Sequence, residues 1–199
     1  LRWLDVGCGT GSLTAAIAAQ CAPAALTGVD PSAGFLDKAR ARMQGLADLR
    51  VANALDLPIA DASADVVVSG LVLNFVPDTG RGLAEMRRVV VPGGTIAAYV
   101  WDYAGKMELM RHFWDAAVAL DPKVRDLDEG VRFPLCRRDA LETAFRGAGL
   151  DAVAVVPIDV PTRFVDFDDY WSPFLGGQGP APAYAMSLDE DARIRLREH

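Results

Sequence analysis

The chain has 199 residues, 51% of them hydrophobic and 24% charged, with a net charge of −7. That composition is ordinary for a single soluble domain, here taken as 1–199, with a sizeable core. Its acidity leaves no electrostatic footprint for nucleic acid, no apolar run is long enough for a membrane span, and no signal-peptide pattern is present.

The first predicted strand, Arg2–Val6, carries an acid at Asp5 and runs directly into Gly7-Cys8-Gly9-Thr10-Gly11. A helix follows over Ser12–Ala22, then a strand over Ala25–Val29 ending beside Asp30. Next come a helix over Ser32–Gln44 with Ser32 as N-cap, and strands at Leu49–Ala52 and Asp65–Ser69. A helix over Gly80–Val90 stops at Pro92-Gly93-Gly94, ahead of a strand over Thr95–Trp101. Arg87 and Arg88 lie on this helix as a solvated pair. Helices over Met107–Leu120 and Asp139–Ala148 precede a sixth strand at Ala152–Val160. Strands alternating with helices, and runs as apolar as Asp-Val-Val-Val, predict a parallel doubly wound sheet in a three-layer α/β/α sandwich. The chain opens on Leu1 inside a strand and closes within a helical pattern, which reads as a piece cut at both ends.

In such sheets ligands sit outside the carboxyl ends of the strands, where the glycine loop lies. A loop of this kind commonly cradles pyrophosphate at the following helix N-terminus. Asp5 argues against that ligand: at ~4 Å and an effective dielectric of about 20, a unit charge pair is worth about 4 kcal/mol. The third glycine of a dinucleotide fingerprint is also replaced, by Ser12. The residues call for a ligand that is cationic or zwitterionic near the loop and adenosine-like beyond it. A nicotinamide oxidoreductase is the weaker reading.

The segment Leu-Asp-Val-Gly-Cys-Gly-Thr-Gly resembles motif I of the class I S-adenosylmethionine-dependent methyltransferases, of the ubiquinone/menaquinone-biosynthesis type. The resemblance continues through Gly-Val-Asp-Pro-Ser, Ala-Asn-Ala-Leu-Asp-Leu-Pro and Val-Pro-Gly-Gly-Thr, and covers residues 1–101. It implies S-adenosylmethionine as cofactor. Asp5, Gly7, Gly9, Thr10 and Gly11 would then hold its methionine part, and Asp30 its ribose. Asn53 and Ala54 would read the adenine, and Gly70 would lie near the methionine end. The family's last, antiparallel strand has no counterpart here. The resemblance implies methyl transfer to an O, N, C or S atom, and the lack of a basic surface favours a small-molecule acceptor over nucleic acid. The competing reading is a non-catalytic S-adenosylmethionine-binding regulatory module.

Residues 102–138 and 166–186 are aromatic-rich additions expected to cover the substrate side, with Trp101 and Tyr103 lining a pocket. Met107, Met110, Phe113 and Trp114 recur at helical spacing and are expected in a core. His112 is expected on the helix surface, and Cys8 is expected to pack rather than react. No catalytic residue is assigned. Cys8, Cys21 and Cys136 show no metal-ligand spacing and cannot all pair, which points to a reducing, cytoplasmic setting and no metal.

Overall fold

The computed structural model describes residues 1–176 and 179–199, which group into two compact units. The first comprises 1–100 and 142–153, the second 101–141 and 154–199. Residues 177 and 178, inside the expected cover, lie outside the described residues.

The first unit is built on five strands: β1 (Arg2–Val6), β2 (Ala25–Asp30), β3 (Asp48–Val51), β4 (Ala64–Gly70) and β5 (Val90–Tyr99). All neighbours pair in parallel, in the order β3-β2-β1-β4-β5. Between them run α1 (Ser12–Gln20), α2 (Ala33–Met43) and α3 (Thr79–Val89). Strand order advances one way from β1 to β3 and the other way from β4 to β5. Right-handed crossovers therefore put α1 and α2 on one face and α3 on the opposite face. The architecture is the three-layer α/β sandwich expected.

Its interior is aliphatic. Leu4, Val6, Val29 and Val67 are fully buried on the strands, as are Leu36 on α2 and Leu83, Met86 and Val89 on α3, while Met43 of α2 packs with Ile17, Leu26 and Val68. Capping sets where the helices begin. The Ser32 hydroxyl accepts from the Phe35 amide and the Asp78 carboxylate from the Arg81 amide, each satisfying an orphan donor of the first turn.

Three local expectations are corrected. Pro92-Gly93-Gly94 lies within β5 rather than ahead of it, as an irregularity where Ala64 pairs with Val90 and Val66 already pairs with Thr95. Gly93 takes φ +77° to make that bend, and a Cβ on Gly94 would stand 2.8 Å from the Asp65 carbonyl oxygen. Arg88 is no solvated charge. It pairs with Glu85 at 2.7 Å and Asp61 at 2.6 Å, and donates to the carbonyls of Leu57 and Ile59, pinning the loop that leads into β4.

The third correction concerns Ala152–Val160, which forms no strand. Pro157 and Pro161 remove amide donors at alternate ladder positions, and Ala152 takes φ +52°. Val156, Ile158 and Val160 are each more than 70% exposed. Strand propensity without a neighbour to pair with does not make a strand.

The second unit is helical: α4 (Glu108–Leu120), α5 (Glu129–Arg132), α6 (Arg138–Gly147, which continues into the first unit), α7 (Phe167–Trp171), α8 (Pro180–Ser187) and α9 (Glu190–Glu198). Its core is aromatic. Phe113 stacks on Phe174 with ring centroids 4.5 Å apart and meets Trp114 edge-on at 5.2 Å, with Met110, Trp171 and Leu196 buried around them. The helical spacing of Met110, Phe113 and Trp114 thus marks a core, and His112 is exposed. Residues from 110–124 and 171–185 share this core, so the two aromatic additions pack on each other. No helix among the described residues is long and apolar enough to cross a membrane.

Candidate cofactor site

The sheet reverses its strand order between β1 and β4, and Asp5 with the glycine loop, Asp30, Asn53 with Ala54, and Gly70 lie at or just past the carboxyl ends of β1, β2, β3 and β4. The loop from Gly7 to Gly11 is drawn tight over the end of β2. The amides of Gly7 and Cys8 both donate to the Val29 carbonyl, at 2.8 and 3.0 Å. Gly7, Gly9 and Gly11 all take positive φ, at +78°, +54° and +81°. At Gly7 the space is closed as well, since a Cβ would stand 2.5 Å from Cγ1 of Val72. No side chain caps the start of α1, so its first-turn amides are left to the loop and whatever binds there. Thr10 is half-buried in the loop.

Asp5 lies beneath this loop with 1% of its surface exposed. One carboxylate oxygen accepts the Thr14 hydroxyl at 2.6 Å; the other is buried with no hydrogen-bond partner. Burial pushes the carboxyl up to about 6, the Thr14 hydroxyl and amide pull it back, and the charge of Asp30 adds to the rise. A buried carboxylate oxygen without a donor costs free energy unless a cation or an N–H comes to it. The arrangement fits a ligand whose positive end reaches Asp5.

Asp30 closes β2, and its carboxylate is already at work. One oxygen accepts the Gly9 amide at 2.9 Å and the other the Ser32 amide at 2.8 Å. It therefore ties the glycine loop to the start of α2. An ionised carboxylate has about four acceptor positions, so two remain for a ligand's hydroxyls. Cys8 packs against Gly28, 3.0 Å from where a Cβ would stand, and burial raises its thiol to about 12, as a packing residue requires.

Asn53 and Ala54 follow β3 in a turn, where the Asn53 side-chain oxygen accepts the Leu55 amide at 3.0 Å. Gly70 ends β4 under the ring of Tyr99, whose hydroxyl would be 2.5 Å from a Cβ there. Burial, and then the charge of Asp5, raise the Tyr99 phenol. Trp101 and Tyr103 belong to the second unit. There Tyr103 rests on Phe133 at 5.7 Å, and burial pushes its phenol up to about 12.

Thr14, Val72 and Tyr99 were missed in the sequence. Thr14 carried a signal: a hydroxyl one turn into the apolar helix Ser-Leu-Thr-Ala-Ala-Ile needs a partner once buried. Val72 and Tyr99 carried none, because each acts by filling space over a glycine far away in the chain.

Comparison with known proteins places this geometry in context. The family described as "Methyltransferase domain" matches residues 4–98, just under half of the chain. A demethylmenaquinone methyltransferase of Symbiobacterium thermophilum is 43% identical over 97 residues, covering 46% of this chain and 39% of that protein. A trans-aconitate 2-methyltransferase of Methylobacterium radiotolerans is 32% identical over 170 residues, covering 77% of this chain and 64% of the relative. The chain thus spans less than two thirds of either relative. Among solved structures, the complex between the Haloferax volcanii Trm112 methyltransferase activator and a methyltransferase aligns with a TM-score of 0.55 at 26% identity, covering 81% of this chain and 68% of the other. A methyltransferase structure from Thermotoga maritima shares the fold, with a TM-score of 0.54 at 24% identity over 74% of this chain and 62% of its own.

Proposed function

We propose that the protein containing residues 4–98, which match the family described as "Methyltransferase domain", is an S-adenosylmethionine-dependent methyltransferase acting on a nucleophilic O, N, C or S atom of a small molecule. The carrying observation is the buried Asp5 carboxylate with one oxygen unpartnered under three left-handed glycines. When bound, S-adenosylmethionine supplies a methyl already activated on a sulfonium, so the protein's task is alignment more than activation. Asp5 takes the ligand's ammonium, with Thr14 holding the carboxylate in place. Gly7, Gly9, Thr10 and Gly11 let the methionine part approach the backbone. Asp30 receives the ribose hydroxyls, Asn53 and Ala54 the adenine, and Gly70 adjoins the methionine end. No side chain is assigned as a general base.

The acceptor is proposed as a small molecule because the relatives include proteins named for demethylmenaquinone and trans-aconitate. All the relatives reported above are named methyltransferases, which leaves the non-catalytic module without support. The segments 102–138 and 166–186, with Trp101 and Tyr103, are proposed to serve the acceptor, since they form a separate aromatic unit after β5. A cytoplasmic setting is proposed with it: Cys8, Cys21 and Cys136 are all free thiols. The test is incubation of the protein with methyl-labelled S-adenosylmethionine and pooled metabolites. Label should move to a small acceptor. Binding of the cofactor without transfer to any pool would return the regulatory module to favour.

The pH dependence of binding follows from Asp5. Its raised pKa means the free protein holds a proton there below about 6, and that proton must leave before an ammonium can pair. Affinity for S-adenosylhomocysteine should be level above pH 7 and fall below pH 6, by up to about ten-fold per unit. Calorimetry from pH 8 to pH 5 measures this, and a flat profile would show that Asp5 does not ionise to bind.

A further inference from the structure

The helical unit contains a cavity of about 500 Å³ lined in part by three arginines, Arg111, Arg125 and Arg137. Only the first is neutralised. Arg111 pairs with Asp128 at 2.6 Å and lies 3.9 Å from Asp115, the two acids that also line the cavity. Arg125 and Arg137 have no side-chain hydrogen bond or ion pair with any described residue. Three cations around one cavity repel one another, and in a chain of net charge −7 carboxylates are plentiful elsewhere. Leaving two of the three without an acid is an arrangement an incoming anion would relieve.

Arg111 is fixed in the wall: its Nη2 donates to Asp128, and its Nε is buried without an acceptor among the described residues. A Cβ on Gly130 would stand 2.7 Å from Arg111 Nη1 and 3.0 Å from the Ala104 Cα, so only glycine admits the guanidinium. The Gly130 amide in turn donates to Asp128 at 2.7 Å, fixing the acid that orients Arg111. Val118 and Val131 add apolar wall.

We propose that this cavity binds a small organic anion, with an apolar body against Val118 and Val131 and its carboxylate or phosphate oxygens on Arg125 and Arg137. Guanidinium groups suit both oxyanions because their paired N–H groups match two oxygens at once, and the volume suits a ligand of metabolite size. The site does not depend on the methyl-transfer reading.

Titration calorimetry of the full chain with adipate and with hexyl phosphate tests this, the first probing a dicarboxylate and the second a phosphate monoester. Saturable binding of at least one is expected, and the tighter of the two names the oxyanion. Arg125→Gln and Arg137→Gln should each weaken it about ten-fold, and the double variant about 100-fold. Both side chains are exposed, so the thermal midpoint should hold, and Arg137→Lys should retain part of the affinity. Failure of both probes to saturate, or equal binding by wild type and a folded double variant, overturns the proposal.

Discussion

Asp5→Asn should weaken S-adenosylhomocysteine binding by about 3–4 kcal/mol, several hundred-fold, while leaving the free protein at least as stable as before. The substitution keeps the shape and an oxygen for the Thr14 hydroxyl, but it removes the charge and puts an N–H₂ group where an ammonium should pair. Breaking one side of a buried pair costs this much because the remaining charge is left desolvated. Stability runs the other way. Burial raises the folded-state carboxyl from about 3.8 to about 6. A raised carboxyl favours folding below pH 4, and that contribution is lost as pH rises through 6. At neutral pH the two-unit rise is a penalty of about 3 kcal/mol, which asparagine does not carry. Its unpartnered amide returns part of that, leaving a net gain of about 1–2 kcal/mol. Urea unfolding and calorimetry on the same samples read both effects. A variant that binds as wild type, or that is less stable without ligand, contradicts the role given to Asp5.

Asp30→Ala carries the second large effect. Its carboxylate would accept from two ribose hydroxyls, at ~1.5–3 kcal/mol for each bond to a charged group. The bonds share one acceptor and compete with water, so a loss of about 2–4 kcal/mol is expected, or about 30-fold to 800-fold. Stability should fall as well, because the Gly9 and Ser32 amides lose their acceptor together. Destabilisation of about 1–3 kcal/mol should accompany the loss of binding. Asn53→Ala removes a neutral bond worth about 0.5–1.5 kcal/mol and should cost ten-fold in affinity or less. If Asn53→Ala proved the more damaging to binding in folded protein, the ribose would have to be held elsewhere.

The parts of this fold legible in the sequence are those fixed by local rules. The glycine loop at positions 7, 9 and 11 is legible as a loop between the first strand and helix, and all three glycines take positive φ there. Ser32 announces a helix start and caps one. Alternating strands and helices with near-continuous apolar runs announce a parallel sheet, and five strands form one. What escaped depends on partners distant in the chain. Ala152–Val160 has strand composition, but composition does not disclose whether a neighbouring strand is there to accept its amides. Arg88 looked like a surface charge because its acceptors, at Leu57, Ile59 and Asp61, lie about 30 residues earlier. The Asp5 pairing with Thr14 joins a strand end to a helix face, and no single periodicity contains both.

The site itself divides along the same line. Asp5 and Asp30 could be named from position, since each ends a strand beside the glycine loop. Their states could not. The unpartnered oxygen of Asp5 and the two amides on Asp30 exist only once the loop is folded over β2. These states decide the expected outcomes, because one acid has a buried oxygen without a donor and the other already supports the loop.

The most direct measurement is titration calorimetry of the protein with S-adenosylhomocysteine and, separately, with NAD at neutral pH. A buried carboxylate facing the glycine loop should accept the first, with one site per chain, and repel the pyrophosphate of the second. Saturable S-adenosylhomocysteine binding with no measurable NAD binding is the predicted result. NAD binding tighter than S-adenosylhomocysteine would contradict the account at its centre.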